Sequence, residues 1–187
     1  MVRAKSLGID AFALNIGTDD FTDDQLGYAY ASAATNGMKV FISFDFNWWS
    51  SSQASDVGAK IAQHGGEDAQ LRLGDQVFVS SFSGDRLDVG AIRSSAGVPI
   101  FFAPNFRADN IGKVDAALNW IAWPNNGDNK APEAGSNITV EDGDEAYMGA
   151  LAGKPYIARM YVASFGVAGA EFSCCSRLAL VLYTLWT

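Results

Sequence analysis

The sequence is poor in the residues that most metal centres and nucleophilic triads need. It contains one histidine, His64, and two adjacent cysteines, Cys174 and Cys175, near the C-terminus. Adjacent cysteines cannot join distant parts of the chain through a disulfide bond. One histidine and scattered acids give neither the ligand spacing of a metal ion nor a Ser/His/Asp or Cys/His set. The sequence therefore predicts no metal and no cofactor, and His64, beside Gly65-Gly66, is expected to lie at a helix C-terminus.

Positive charge and long apolar runs are also scarce. The 13 Lys and Arg residues stand against 21 Asp and Glu, which gives a net charge of -8. This balance repels phosphate backbones and anionic membrane surfaces. The longest apolar run near the end, residues 178–182, is far shorter than the roughly 20 residues that span a bilayer. We therefore expect neither nucleic acid nor a membrane as partner, and no obligate protein partner is evident.

Two kinds of sequence signal are absent as well. No Gly-x-Gly-x-x-Gly follows the first predicted strand and no Walker-type Gly-Lys-Ser/Thr occurs, which disfavours a nucleotide site. The residues after Met1 lack the long apolar stretch of a secretion signal, so we expect none.

What the sequence does contain is a repeated alternation of short strands and helices within 187 residues, a length typical of one domain. Parallel neighbours need a crossover of a dozen or more residues, so strands separated by helices indicate βαβ units. The predicted strands are 9–16, 39–46, 76–81, 99–103, 117–123 and 155–158, and the predicted helices begin at Thr22 or span 56–63, 88–96 and 140–152.

The predicted strands have two unlike faces. The strand 39–46 places large apolar side chains on one side and a mixed set ending in Asp45 on the other, and the strands leading to Asn15 and Asn105 divide in the same way. A barrel explains this better than a sheet covered on both faces, because its mixed side points inward and ends at the C-terminal rim. We therefore predict an α/β fold, a partial (β/α)8 TIM barrel with about six of the eight βα units.

Asp45 is the first candidate for chemistry. It ends a predicted strand and is followed by Asn47, Trp48 and Trp49. Aromatic faces beside a carboxylate suit sugar rings, whose C–H faces stack on indole while their hydroxyls need hydrogen-bond partners. The alternative is a turn in which Asp45 caps a backbone amide and the tryptophans pack beneath the loop.

Further candidates follow other predicted strands. Asp85 also fits a capping role ahead of the helix at Asp88, and an asparagine can only hydrogen-bond because its amide does not titrate. Without a metal site or a nucleophilic triad, the remaining chemistry is that of carboxylates acting without a cofactor. Hydrolysis of a glycosidic bond, which uses a general acid and a second carboxylate, is the commonest reaction of this kind. The candidates for substrate binding are Asn15, Trp48, Trp49, Asp85, Asn105, Trp123 and Asn125.

Six segments in order carry a family resemblance. They are GIDAFALNIG (8–17), KVFISFDFNWW (39–49), FVSSFSGD (78–85), IFFAPNF (100–106), ALNWIAWPNNG (117–127) and KPYIA (154–158). Together they resemble the fungal α-1,3-glucanases, or mutanases, of glycoside hydrolase family 71. The resemblance implies a (β/α)8 catalytic domain that cleaves α-1,3-glucan, a fungal cell-wall polymer, with inversion. It also implies that Asp45 lies in the catalytic cleft and that Asn15, Asp85, Asn105 and Trp123 contact substrate.

The end of the chain departs from this pattern. Residues 159–187 lack the W-N-D-Y-G-E-S motif that, in the family, holds the leading acid and base candidates. We therefore predict a partial catalytic barrel over 1–158, a divergent tail over 159–187 and an incomplete catalytic set. The alternative is a non-catalytic or vestigial glucan-binding fragment. The resemblance implies a secreted or cell-wall location, although no secretion signal is expected.

Overall fold

The computed structural model describes residues 1–106, 108–120, 140–158 and 180–184. Within these residues five α-helices and eight β-strands form, together with two short 3-10 helices, Ser51–Gln53 and Ala108–Lys113. The helices are α1 (Val2–Ser6), α2 (Thr22–Thr35), α3 (Ala54–His64), α4 (Val89–Ala96) and α5 (Val140–Leu151). The strands are β1 (Ala11–Ile16), β2 (Lys39–Asp45), β3 (Arg72–Leu73), β4 (Gln76–Phe82), β5 (Ile100–Phe102), β6 (Ala117–Leu118), β7 (Tyr156–Ile157) and β8 (Leu180–Thr184).

The helix limits follow the capping signals in the sequence. Asp23 and Asp24 lie in the first turn of α2, where carboxylates favour the positive end of the helix dipole. Asp88 caps α4 by accepting a hydrogen bond of 3.1 Å from the backbone amide of Ala91. Gly97 ends α4 at a φ of +62°, which glycine adopts without steric cost. The predicted helices are thereby confirmed, with limits that agree within about two residues.

The strands form a mainly parallel sheet in the order β8, β1, β2, β4, β5, and β3 adds to β4 as an antiparallel hairpin partner. β6 and β7 form a separate parallel pair. Backbone amides of Ala116 and Leu118 donate to the carbonyls of Phe102 and Pro104, at 3.4 and 3.1 Å, so β6 follows β5 in space. The predicted α/β fold with a parallel sheet is confirmed. The short β3 and the strand β8 are additions that the sequence pattern did not indicate.

The two faces of the sheet contribute to two separate hydrophobic clusters. The larger cluster includes Leu14, Ile42 and Phe102 together with apolar residues of α2, α3, α4 and α5. The smaller cluster joins Phe41 and Phe78, whose rings meet edge-on at 4.7 Å, to small residues of β1 and to Leu118. The predicted division of each strand into a helix-covered face and a mixed face is confirmed. We call the side of the smaller cluster the inner face.

Candidate active site

Asp45 is a buried carboxylate at the C-terminal end of β2, with 5% of its surface exposed. Its Oδ2 accepts a hydrogen bond of 3.1 Å from Asn15 Nδ2, which comes from the end of β1. Its Oδ1 accepts a hydrogen bond of 3.0 Å from the backbone amide of Asn47. Each oxygen of an ionised carboxylate accepts about two hydrogen bonds, so both can take a further donor. The carboxylate is therefore fixed in orientation while keeping the capacity to bind a hydroxyl or a water molecule.

The loop after Asp45 also has the turn expected from the sequence. The backbone amides of Trp48 and Trp49 both donate to the Asp45 carbonyl at 3.0 Å. The interpretation of Asp45 as a turn residue is thus correct in two respects: the backbone forms the turn, and the Asp45 side chain caps the amide of Asn47. It does not account for the buried side-chain bond from Asn15, since a turn needs no partner from another strand.

The two adjacent tryptophans occupy different environments. Trp49 is partly buried, meets Phe44 edge-on at 5.3 Å and donates from Nε1 to the Gly17 carbonyl at 3.0 Å. Trp48 is 53% exposed and lies against the backbone of Gly17, where an added Cβ would approach the indole Cγ and Cδ1 to 3.4 Å. Of the two, Trp48 is the one that offers a large exposed aromatic surface at this edge.

Asp85 lies half-buried on the loop between β4 and α4. Asp88, and not Asp85, caps α4. The same loop contains Ser83 at a φ of +57° and Gly84 at a φ of +97°. A Cβ on Gly84 would lie 2.6 Å from the ring of Phe46, so this ring packs directly on the glycine. The loops that follow β2 and β4 are therefore held together at the C-terminal edge of the sheet.

Asn105 is fully buried just beyond β5, where it joins neighbouring strands. Its backbone amide donates to the Ser81 carbonyl at 2.7 Å, and its Oδ1 accepts from the backbone amide of Trp120 at 3.1 Å. The Oη of Tyr147 lies 3.5 Å from the same Oδ1. Within the described residues, Asn105 Nδ2 has no hydrogen-bond partner. These contacts place Asn105 in the link between β5 and β6, and no bond joins it to Asp45 in the part of the chain that is described.

A second polar cluster attaches α5 to β6 and β7. Asn119 Nδ2 donates to Asp144 Oδ1 at 3.2 Å and to the Tyr156 hydroxyl at 2.9 Å, and this hydroxyl in turn donates to Asp144. Burial raises the pKa of the Tyr156 hydroxyl above its ordinary value, and the hydrogen bond to Asp144 raises it further. Tyr156 is therefore a neutral hydrogen-bonding group that holds the helix.

The other predicted residues are placed as follows. Trp123 and Asn125 lie outside the described residues, so both stay predictions. His64 is the last residue of α3, as expected, and its ring stacks on Tyr30 at 4.9 Å while Nδ1 contacts Glu67 at 2.8 Å. In the described ranges, no group of three His, Cys, Asp or Glu side chains could hold a metal ion. No described helix is both long and apolar enough to cross a bilayer.

Gly17 and Phe46, at the C-terminal edge of the sheet, are residues that sequence reasoning did not single out. Gly17 receives the Trp49 indole bond and allows Trp48 to lie close, and Phe46 covers Gly84. A glycine directly after a strand whose last inner residue is Asn15 was the available signal. Its significance depends on which side chain approaches it, and that contact comes from a different loop.

The chain is similar to a described enzyme family over most of its length. The profile of Glycosyl hydrolase family 71 matches residues 1–168. A mutanase of Penicillium rubens is 35% identical over 165 residues, covering 84% of this chain and 36% of the relative. No solved structure matches the chain.

Two proteins of Schizosaccharomyces pombe are also similar. A glucan endo-1,3-alpha-glucosidase is 33% identical over 141 residues, and an ascus wall endo-1,3-alpha-glucanase is 25% identical over 143 residues. Each match covers 65% of this chain and 33% of the relative. The chain thus spans about a third of the length of the curated relatives that it matches.

Proposed function

The chain belongs to glycosyl hydrolase family 71, and from this membership we propose that it acts in the hydrolysis of α-1,3-glucosidic bonds in α-1,3-glucan. The names of its relatives, a mutanase, a glucan endo-1,3-alpha-glucosidase and an ascus wall endo-1,3-alpha-glucanase, support this substrate. The observation that carries the proposal is the buried Asp45 carboxylate at the strand edge, oriented by one donor on each oxygen. An exposed tryptophan of the same loop, Trp48, supplies a surface on which a sugar ring can stack.

We propose that the fold is part of a (β/α)8 barrel. The parallel strands β1, β2, β4 and β5 follow the same order in the chain and across the sheet, with only the short antiparallel β3 between β2 and β4 in sequence. Right-handed crossovers between consecutive neighbours place all helices on one face, and closure into a barrel then covers the other face. The smaller hydrophobic cluster, on the inner face, supports such closure. It joins residues of β1 and β2 to Leu118 of β6, and Ile157 of β7 packs against it. About six of the eight units of a barrel are then represented.

Asp45 is the proposed catalytic carboxylate, and its role as acid, base or positioning group depends on the second carboxylate that glycoside hydrolysis requires. Inversion is part of the proposal because the family resemblance implies it. The proposed substrate contacts are Asn15, Trp48, Trp49, Asp85, Asn105, Trp123 and Asn125.

The proposed place of action follows from the substrate. A wall polysaccharide lies outside the plasma membrane, so an enzyme that cleaves it works in the extracellular space or the cell wall. The polysaccharide itself is the proposed partner. The division into a barrel over 1–158 and a different segment over 159–187 stays a prediction.

The proposal is tested by measuring the release of reducing ends from insoluble α-1,3-glucan, with Asp45→Asn as the decisive variant. Where the chain releases reducing ends, we expect a loss of at least about 100-fold in Asp45→Asn, because the amide has no negative charge and takes no part in proton transfer. Asp75→Asn, which changes an exposed acid in the turn between β3 and β4, is the matched control and should keep its activity.

A sedimentation assay with the same glucan separates the two functions that the sequence leaves open. Sedimentation of the chain with glucan, without any release of reducing ends, would contradict the hydrolase proposal and support a non-catalytic glucan-binding protein. Turnover that persists unchanged in Asp45→Asn would contradict only the proposed role of Asp45 and would leave the hydrolase proposal standing.

A further inference from the structure

We propose that Asn15 is a positioning residue that fixes the orientation of the Asp45 carboxylate. The catalytic meaning of this inference rests on the proposed function, whereas the contact itself does not. Asn15 is one of the predicted substrate contacts, but its amide nitrogen already donates to Asp45 Oδ2 at 3.1 Å. Its direct partner is therefore the carboxylate.

The two donors to Asp45 come from different parts of the rim. Asn15 Nδ2 belongs to a side chain of β1 and binds Oδ2, while the Asn47 amide belongs to the backbone after β2 and binds Oδ1. One donor on each oxygen opposes rotation of the carboxylate plane about the bond that joins it to Cβ. Because an amide does not titrate, the Asn15 donor is present at every pH at which the protein is folded.

The register of the strands makes this contact a diagonal one. Asn15 is paired with Ser43, and Asp45 lies two residues further along β2 on the same face. The amide group must therefore lean toward the C-terminal edge to reach the carboxylate. Neighbouring strands lie about 4.8 Å apart and two residues of a parallel strand span about 6.6 Å, so the two Cα atoms are about 8 Å apart, within the joint reach of an asparagine and an aspartate side chain.

Folding stability alone does not explain an asparagine here. Asn15 is 5% exposed, and its Oδ1 has no hydrogen-bond partner among the described residues. A buried polar atom without a partner costs about 1–3 kcal/mol. The adjacent Ser43 hydroxyl is also buried and likewise has no partner within those residues. Buried hydrogen-bonding groups without partners therefore lie next to Asp45. This arrangement fits an asparagine whose role is to orient Asp45 and not to stabilise the fold.

The first test is spectroscopic and needs no turnover. The carboxylate stretching band of Asp45 is isolated as the infrared difference between the chain and Asp45→Asn, and again between Asn15→Ala and the double variant. We expect the band to shift in Asn15→Ala because Oδ2 has lost its donor. Ser43→Ala removes a hydroxyl with no bond to Asp45 and should leave the band unchanged. An Asp45 band that keeps its wild-type position in Asn15→Ala would overturn the inference.

The second test uses Asn15→Asp, which has the same shape but places a second carboxyl against Asp45. Two carboxylates at hydrogen-bond distance hold one proton between them more tightly than either would alone. The ionisable residues on the flanking loops, Asp19, Asp20, Asp85, Arg86 and Asp88, are all unchanged in this variant. We expect the wild-type band position to return only at acidic pH, where the introduced carboxyl is protonated and donates to Asp45. A band that stays away from its wild-type position at every pH would contradict the inference.

Turnover distinguishes positioning from substrate contact. A positioning role predicts that kcat falls by about 10- to 100-fold in Asn15→Ala while KM changes by less than about twofold. A rise in KM with unchanged kcat would overturn positioning and make Asn15 a binding contact. If wild type hydrolyses no glucan but the infrared band still shifts, the proposed function fails and the contact stands. Far-ultraviolet circular dichroism of each variant checks that it is folded, and Asn15→Asp serves if Asn15→Ala is not.

Discussion

On the helix-covered face of the sheet, buried positions such as Ile42 and Phe102 are apolar and belong to one large cluster with the helices. On the inner face, the corresponding positions near the rim are Asn15, Ser43 and Asp45, all buried and all polar. Two of these three carry an atom without a hydrogen-bond partner in the described part of the chain, Asn15 Oδ1 and Ser43 Oγ.

The difference shows where stability and chemistry are located. Apolar burial contributes roughly 25 cal/mol per Å², so the helix-covered face supplies most of the free energy of folding. Buried polar atoms without partners oppose folding, and on the inner face two of them belong to Asn15 and Ser43, beside the proposed catalytic carboxylate. Unmet polar groups also occur on the helix side, at His64 Nε2, so their presence alone does not mark a site. What marks the inner face is their position beside Asp45 at the C-terminal edge.

Adjacent phenylalanines of β5 give the largest expected contrast. Phe102 is fully buried on the helix-covered face and Phe101 is half-buried on the inner face, stacked on Phe78 at 5.7 Å. We expect Phe102→Ala to lower the free energy of unfolding by about 3–5 kcal/mol, the usual cost for a buried phenylalanine. Phe101→Ala should cost less, about 1–2 kcal/mol, since less apolar surface is buried.

Urea unfolding of both variants measures this contrast, provided that the two transitions have similar slopes. Equal losses would show that the inner face is packed as completely as the outer one. That result would weaken the division between a stabilising face and a chemical face.

Much of this architecture was predictable because it depends on local pattern. Alternation within 39–46 separated the two faces of β2 and placed Asp45 on the inner one, and glycines at 37 and 97 marked helix ends. The two-residue strand β3 could not be predicted, since two residues carry no period. Its place depends on its pairing with β4.

The site was less predictable for a related reason. Trp48 and Trp49 are identical neighbours in sequence, and what distinguishes the partly buried Trp49 is its contact with the Gly17 carbonyl and the Phe44 ring, both from other parts of the chain. The bond between Asn15 and Asp45 likewise depends on the register of β1 against β2. Alternation assigns a residue to a face but contains no information on register.

Two glycines in helix interiors test how tightly the helix-covered side is packed. A Cβ on Gly58 of α3 would lie 2.0 Å from Ser95 Oγ and 2.6 Å from the Ile92 carbonyl of α4, whereas a Cβ on Gly27 of α2 would meet nothing within 4 Å. We expect Gly58→Ala to destabilise the fold by about 1–3 kcal/mol through overpacking. Gly27→Ala should stabilise it by about 0.5–1 kcal/mol, because alanine loses less backbone freedom on folding.

Thermal unfolding of the two glycine variants should therefore move in opposite directions. A Gly58→Ala protein with an unchanged midpoint would mean that α3 and α4 can separate without loss. The layer of helices would then be less closely packed than the distances around Gly58 indicate.

The smallest expected effects come from two serines of the inner face that are paired in register, Ser43 and Ser80, both fully buried. Ser80 Oγ donates to the Ala103 carbonyl at 2.7 Å, while Ser43 Oγ has no partner in the described residues. Ser80→Ala should cost about 1 kcal/mol, the net value of one hydrogen bond. Ser43→Ala removes only an unmet hydroxyl, so we expect no loss and a gain of up to about 1 kcal/mol.

A loss in Ser43→Ala equal to that in Ser80→Ala would mean that the hydroxyl is bonded in solution, by water or by a ligand. The inner face beneath Asp45 would then be hydrated and not merely unsatisfied, which chemical denaturation of the two variants can decide.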